Sequence, residues 1–272
     1  SGGGARCFAQ LGVVQAMVEL GIPIDGVSGT SGGAMSGALI AQGLAPEALR
    51  AAARRFHESR PFRRGTLPLY SLRSGAPLEA ALRDGAGDLL IEDLWLPLVV
   101  VSANLTRAQP HWHRRGSVVD AVRASSSLPG LLPPWLHDGE LLVDGGLVDN
   151  LPVDVARQCV APRVLAVDVT EDTAPRFEAE RYPSPWPDLS ALWPDRQRQR
   201  PPGLLAILMH SLLLGSLAQT RRQREAADLC LRPPLPGVGM MATHRWAEII
   251  AAGHRDALAG LERQPRWILG QE

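Results

Sequence analysis

A serine flanked by glycines, Ser31 in the GTSGG sequence of residues 29–33, is the first group that could act as a nucleophile. A nucleophilic serine at the tip of a sharp strand-to-helix turn needs glycine on both sides, because the backbone is strained there and side chains would block access. The motif alone fits a glycine-rich turn about equally well. The surrounding sequence favours the nucleophile, since an apolar stretch from Ile24 to Ser28 suits a strand and Ala34 to Ala41 suits a helix.

Three consecutive glycines, Gly2, Gly3 and Gly4, stand before a predicted helix. Backbone N–H groups at the start of a helix lie at the positive end of its dipole and can bind an anion. A dinucleotide-binding fingerprint would need glycine in place of Cys7 and a full strand before the run. Two interpretations remain: an oxyanion hole, whose donors face the charge that develops on an attacked carbonyl, or a flexible terminus.

An aspartate followed by two glycines, Asp144-Gly145-Gly146, is the third candidate. Asp-Gly is a common turn pair and needs no functional explanation by itself. However, Asp144 follows a short predicted strand, and α/β folds gather their site residues at strand ends. The glycines behind it would allow another stretch of backbone to approach closely. Asp144 is therefore a candidate base.

Composition excludes several classes of function. The 272 residues have a formal net charge of zero, which gives no reason to expect nucleic acid as a partner. Every cationic residue is arginine, and the absence of lysine excludes a nucleotide-binding P-loop. Three scattered cysteines are too few for a disulfide framework or a thiolate metal site, and no secretory signal is visible, so we expect a cytoplasmic protein.

Helical and strand patterns alternate along the chain, which predicts a three-layer α/β/α fold with a mostly parallel central sheet. Asn150 is placed to cap the helix that begins near Pro152. The apolar stretch from Gly203 to Gln219 is shorter than the about 20 residues that a bilayer requires, so we expect a buried or interface-facing helix. The predicted helices lie at Val13 to Leu20, Ala34 to Ala41, Ala45 to His57, Pro152 to about Cys159, an apolar segment after residue 202 and Arg245 to Leu261, and the predicted strands lie at Ile24 to Ser28, Leu96 to Leu105, Gly139 to Val143, Arg163 to Val169 and Leu229 to Leu231.

The three glycine-containing motifs resemble, in order, the three blocks of the patatin-like phospholipases. Residues 122–134 (VRASSSLPGLLPP) are similar to the block that precedes the aspartate in that family. Residues 144–157 (DGGLVDNLPVDVAR) and 231–234 (LRPP) are similar to its neuropathy target esterase branch. The resemblance therefore extends over nearly the whole chain.

This resemblance implies a catalytic dyad of Ser31 and Asp144, with an oxyanion hole formed by Gly2, Gly3 and Gly4. It also implies a patatin-like fold, phospholipid or lysophospholipid substrates at a membrane surface, and no metal or cofactor. Two departures stand out: Cys7 occupies a position where the family usually has glycine, and the family's strand before the glycine loop is missing. We therefore expect one domain over residues 1–272, lacking its first strand and cut from a longer protein with upstream regulatory domains.

Other functions remain as alternatives. A Ser-His-Asp triad is disfavoured because Ser31 comes too early in the chain for an α/β-hydrolase elbow. A catalytically weak lipid-binding or regulatory module with the same fold is the main rival, and a protein-interaction domain is a weaker one. The histidines available for a triad are His111, His113, His210 and His244.

Two groups of apolar residues are candidates for lipid contact. Candidate walls of an acyl-chain path, which plain core packing would explain as well, are Leu128, Leu131, Leu132 and Trp135. Trp186 and Trp193 lie in a proline-rich segment, Pro175 to Pro202, that we expect to be an irregular loop. These two indoles suit a membrane interface or a cover over the sheet.

Overall fold

The computed structural model describes residues 1–62, 70–171 and 204–264. The segment from Pro175 to Pro202, with Trp186 and Trp193, lies outside the described residues, so its predicted loop and membrane contacts stay predictions. Eight helices are present in this part of the chain: α1 (Phe8–Glu19), α2 (Gly32–Ala41), α3 (Pro46–Glu58), α4 (Ala76–Ala86), α5 (Val118–Ser125), α6 (Val153–Cys159), α7 (Leu204–Ala226) and α8 (Trp246–Leu261).

Five strands form the main sheet. They are β1 (Val27–Thr30), β2 (Leu98–Asn104), β3 (Gln109–His113), β4 (Trp135–His137) and β5 (Glu140–Asp144). Only β1 runs parallel to its neighbour β2, whereas the pairings of β2 with β3, of β2 with β5 and of β4 with β5 are antiparallel. The α/β prediction is confirmed, and among the described strands the main sheet is mixed where a mostly parallel one was expected. The connections from β2 to β3 and from β4 to β5 are short, and short connections join antiparallel strands.

Two further strands, β6 (Leu165–Val167) and β7 (Leu229–Leu231), form a separate parallel pair. The strand predicted from Arg163 to Val169 is present but shorter. Within the described residues β7 is its sole strand partner, so its predicted inner position in the main sheet is not observed there.

The predicted helices are present, with ends shifted by a few residues. The predicted cap of α6 is wrong: Pro152 is the N-terminal boundary residue of that helix, and no side chain caps it. The side chain of Asn150 instead donates a hydrogen bond to the Thr170 hydroxyl. Among the described residues no helix is long and apolar enough to cross a membrane.

The centre of the molecule is β2, in which all seven residues are buried. On one face Leu98 and Val100 pack with residues of α5. On the other face Val99 and Val101 pack with Val155 of α6. Burying an aliphatic side chain of this size stabilises a fold by about 1.5–3 kcal/mol. Hydrophobic burial on both faces of β2 therefore holds the helix, sheet and helix layers together.

The two edges of β2 determine where its neighbours end. β3 pairs with residues 100–104, so it occupies one edge, and β1 and β5 share the other edge. β1 and β5 run towards each other along that edge. β1 ends with Thr30 opposite Val101, and β5 ends with Asp144 opposite Ser102. The ends of two strands far apart in sequence therefore meet at adjacent residues of β2.

Candidate active site

Ser31 occupies a sharp turn between β1 and α2. Its backbone has φ 54° and ψ −122°, a conformation that non-glycine residues seldom adopt because it is strained. The turn is possible because a glycine precedes it: a Cβ atom on Gly29 would lie 2.4 Å from the carbonyl oxygen of Gly33. The strand, turn and helix predicted from the GTSGG motif are therefore present, and the turn leaves the Ser31 hydroxyl at the end of β1.

The Ser31 hydroxyl donates a hydrogen bond directly to the Asp144 carboxylate, with 2.6 Å between Oγ and Oδ2. The Ser31 N–H donates to the Ser125 hydroxyl at 2.8 Å, and this hydroxyl donates to the Val101 carbonyl at 2.5 Å. Ser125 therefore holds the turn against β2. Ser125 is the last residue of α5 and the first of three consecutive serines, and no local pattern indicated its contact with Ser31.

Two of the histidines considered for a triad, His111 and His113, have contacts away from Ser31. The ring of His113 has Nε2 2.8 Å from the Ser102 hydroxyl oxygen, and the ring of His111 lies 4.4 Å from that of His113. Burial and the neighbouring histidines lower the pKa of His113 to about 3, so this imidazole is neutral. The side chain of His210 lies outside the described part of the chain. The partner of the Ser31 hydroxyl is a carboxylate.

Asp144 is almost completely buried, with 4% of its surface exposed. Burial raises its pKa from 3.8 to about 6, against the opposing effect of hydrogen bonds from the Ser31 hydroxyl and the Gly146 N–H. The Gly146 N–H donates to Oδ1 at 2.8 Å, and the Asp144 N–H donates to the Ser127 carbonyl at 3.0 Å. The carboxyl is therefore held in one orientation, and it is ionised at neutral pH yet more basic than an exposed aspartate.

The three glycines predicted for an oxyanion hole differ in what their N–H groups do. The N–H of Gly2 donates to the carbonyl of Asn150 at 2.9 Å. Within the described residues, the N–H groups of Gly3 and Gly4 have no hydrogen-bond acceptor. Gly3 is the boundary residue and Gly4 the first residue of a short 3-10 helix, Gly4–Cys7, that continues directly into α1. Of the predicted trio, Gly3 and Gly4 are the available donors.

Cys7, which replaces the glycine usual in the family, fits into this arrangement as a neutral thiol. Burial raises its pKa to about 12. Its sulfur fills the space beside the start of α2, where a Cβ atom on Gly32 would lie 2.7 Å from Sγ. The thiol also donates to the Ser1 carbonyl at 3.4 Å. The substitution therefore adds volume next to the turn and no charge.

A mainly apolar cavity reaches both Ser31 and Asp144. Leu128, Leu131 and Leu132 line it, as the sequence analysis proposed for an acyl-chain path. The fourth candidate, Trp135, does not line this cavity. Trp135 borders a surface groove with His111 and His137, and its ring lies 5.8 Å from the guanidinium carbon of Arg123. Further walls come from side chains of α2, α3, α4 and α5 that the sequence analysis did not assign to the cavity, namely Met35, Phe56, Leu82, Val119 and Val122.

Comparison with known protein families gives a match for this chain. Residues 1–157 match the family described as patatin-like phospholipase, which is more than half of the chain. This chain belongs to the patatin-like phospholipase family. The motifs at residues 2–6, 29–33 and 144–146 all lie within the matched range, and the resemblance of the chain to this family is confirmed.

Several curated relatives cover nearly all of this patatin-like chain. Lysophospholipase nte1 of Aspergillus fumigatus is 32% identical over 274 residues, with 96% of this chain and 18% of the relative covered. Patatin-like phospholipase domain-containing protein 7 of Rattus norvegicus is 34% identical, with 96% of this chain and 20% of the relative covered. The NTE family protein Mb2594 of Mycobacterium bovis is 35% identical and has 46% of its length covered. The chain thus spans between about a fifth and about half of these relatives.

The chain was also compared with solved structures. The crystal structure of VipD from Legionella pneumophila superposes with a TM-score of 0.48 at 13% sequence identity. The match covers 96% of this chain and 65% of the VipD chain.

Proposed function

We propose that this chain hydrolyses acyl esters of lysophospholipids or phospholipids, with Ser31 as the nucleophile and Asp144 as its base. The observation that carries the proposal is the 2.6 Å hydrogen bond between the Ser31 hydroxyl and a buried carboxylate. Two of the relatives described above are named as a lysophospholipase and as a patatin-like phospholipase domain-containing protein, which supports the class of substrate.

In the first half of the reaction, Asp144 accepts the hydroxyl proton while Ser31 Oγ attacks the ester carbonyl carbon. The carbonyl oxygen gains the negative charge, and the N–H groups of Gly3 and Gly4 stabilise it. When the carbonyl re-forms, the bond to the alcohol oxygen breaks, and the leaving alcohol takes the proton from Asp144. The acyl group is then bound to Ser31 as an ester.

In the second half, a water molecule gives a proton to Asp144 and attacks the acyl-enzyme carbonyl. The same amides stabilise the second oxyanion, and the bond to Ser31 Oγ breaks as Oγ recovers the proton. A fatty acid leaves. Since one carboxyl group handles the proton in both halves, a pKa near 6 suits it better than the usual value of 3.8.

The apolar cavity next to Ser31 supports a lipid substrate. A fatty acyl chain gains free energy from leaving water, at about 0.8 kcal/mol for each buried CH₂ group. The leucines at positions 128, 131 and 132, together with Met35 and Phe56, offer that environment within reach of the reacting oxygen. We further propose that the protein works in the cytoplasm at a membrane surface, where such lipids reside.

The test compares the wild type with Ser31→Ala and Asp144→Asn, and measures fatty acid release from lysophosphatidylcholine, diacyl phosphatidylcholine vesicles and a short soluble ester. We expect turnover by the wild type, no turnover above background with Ser31→Ala, and a fall in kcat of about 10²–10⁴-fold with Asp144→Asn. A fluorophosphonate should label the wild type rapidly and Ser31→Ala not at all. A wild type that binds lipid vesicles but resists both assays would be a lipid-binding module. Undiminished turnover by Asp144→Asn would refute the dyad.

A further inference from the structure

The loop after Asp144 binds both the turn at Ser31 and the glycine loop of residues 2–4, through the carbonyl groups of two consecutive residues. The Thr30 hydroxyl donates to the carbonyl of Asp149 at 2.8 Å, and the Gly2 N–H donates to the carbonyl of Asn150 at 2.9 Å. Thr30 immediately precedes Ser31, and Gly2 immediately precedes the two amides proposed for the oxyanion hole. The segment 149–150 therefore contacts the nucleophile turn and the glycine loop at the same time.

The side chain of Asn150 fills the space between the glycine loop and the backbone that follows Asp144. A Cβ atom on Gly2 would lie 2.5 Å from Asn150 Oδ1. A Cβ atom on Gly146 would lie 3.0 Å from Asn150 Oδ1 and 3.1 Å from Asp144 Oδ1. The amide oxygen of Asn150 thus packs against the Cα atoms of two glycines, one in the glycine loop and one directly behind the carboxylate.

The orientation of this amide is fixed from outside the site. Nδ2 of Asn150 donates to the Thr170 hydroxyl at 2.9 Å. Thr170 follows β6, and its own N–H donates to the Asp168 carboxylate at 2.9 Å. A fixed Nδ2 leaves Oδ1 directed towards the glycines. The side chain is neutral, so it fills the space without placing a second negative charge beside Asp144.

We propose that Asn150 is a positioning residue, which sets the distance between the glycine loop and the Ser31–Asp144 pair. This rests on the proposed function, since it assigns a task to Asn150 in the same reaction. Displacement of the Gly3 and Gly4 amides from the developing oxyanion would slow formation of the intermediate and leave the apolar cavity unchanged. The expected signature is a lower kcat with an unchanged KM.

The direct test is Asn150→Ala, with kcat expressed per serine titrated by a fluorophosphonate, so that unfolded protein is not counted. We expect kcat to fall about 10–100-fold, KM to stay within about twofold, and fluorophosphonate labelling to slow by a similar factor. A residue that only stabilises the fold would lower the melting temperature and leave kcat per titrated serine unchanged. That result would overturn the proposal.

A second pair of variants changes the anchor and leaves the site itself untouched. Thr170→Val removes the hydroxyl that holds Nδ2, and Thr170→Ser retains it. We expect Thr170→Val to lower kcat several-fold at unchanged KM, and Thr170→Ser to restore it. Equal kcat in both variants would contradict the proposal even if Asn150→Ala does not fold. Failure of the proposed function is a separate outcome, because the wild type itself would then neither hydrolyse esters nor react with the fluorophosphonate.

Discussion

At the scale of single residues, the proton on Asp144 decides whether Ser31 can react. The carboxyl has lost its hydration by burial, and two hydrogen bonds only partly compensate, so its pKa lies near 6. The protonated carboxyl cannot accept the serine proton. The same burial that makes this group a useful base at neutral pH therefore inactivates the site in mild acid.

We expect kcat/KM to rise with pH through an apparent pKa of about 6 and to level off above about pH 7. The sign follows from the basic role, because activity requires the ionised form and burial shifts ionisation to higher pH. The measurement is a pH–rate profile on a soluble ester whose own ionisation does not change. An exposed aspartate would give a midpoint near its ordinary value of 3.8, and a midpoint there would show that burial does not govern the base.

The sequence predicted Ser31 and Asp144 because each lies in a short motif that a sharp turn requires. It did not predict that Ser125 contacts the turn at Ser31 or that Asn150 contacts the glycine loop. Their hydrogen bonds to Ser31 and Gly2 depend on where separate segments meet in space. Asn150 also has a plausible local role as a helix cap, and that role was the wrong prediction because Thr170 binds its side chain instead.

At the scale of secondary-structure elements, the turn between β1 and α2 depends on close backbone contact. Helix α2 begins directly after Ser31, so the carbonyl of Gly33 lies against Gly29. A side chain at position 29 would force the strand and the helix apart. This contact is what orients the Ser31 hydroxyl towards β5.

Gly29→Ala is expected to lower the free energy of unfolding by more than about 2 kcal/mol and to reduce turnover strongly, since its Cβ would lie 2.4 Å from a carbonyl oxygen. The matched control is Gly215→Ala in α7, where, apart from its own stretch of helix, no atom of the described residues lies within 4 Å of the added Cβ. There we expect a stabilisation of about 0.5–1 kcal/mol, because alanine favours the helix over glycine. Chemical denaturation with parallel ester assays measures both. Equal effects at the two positions would contradict the steric explanation.

The sequence predicted six of the eight described helices, whereas α4, α5 and the pairing of the strands were not predicted. The helices α1, α2 and α3 have local apolar spacing and end signals, so their positions could be predicted within a few residues. Alternating helices and strands suggested a mostly parallel sheet. The pairing of β5 with β2 and β4 is antiparallel, and nothing in the local pattern of residues 140–144 distinguishes the two directions.

At the scale of the whole molecule, the cavity joins elements from both halves of the α/β fold. Its walls come from the 3-10 helix Gly4–Cys7, from α1 to α5, from the segment after α5 and from residues 240–243, and it reaches the Ser31–Asp144 pair. The leucines at positions 128, 131 and 132 could be predicted because they lie within the block of residues 122–134 that resembles the family. The contributions of Met35 and Phe56 required the packing of separate helices.

Filling the cavity should change chain-length preference. For Met35→Trp we expect kcat/KM on a long-chain lysophospholipid to fall about tenfold or more, with a much smaller effect on an acetyl or butyryl ester, because a larger side chain occupies space that a long acyl chain needs. Trp135→Ala is the control, since Trp135 borders a different groove. Release of fatty acids of increasing length measures the effect. An equal loss of kcat/KM at all chain lengths would show that the cavity does not bind the acyl chain.

The meeting of β1 and β5 end to end along one edge of β2 has a consequence for folding. The reacting oxygen atoms come from positions 113 residues apart, and neither strand pairs with the other. No local hairpin or helix pair can assemble them, so the pair forms only when three distant segments share a register. Contacts of such long sequence separation form late and slowly. During refolding, the reactivity of Ser31 towards a serine probe should therefore return after the helical circular dichroism signal does. The rate of labelling by that probe would then report when the sheet is complete.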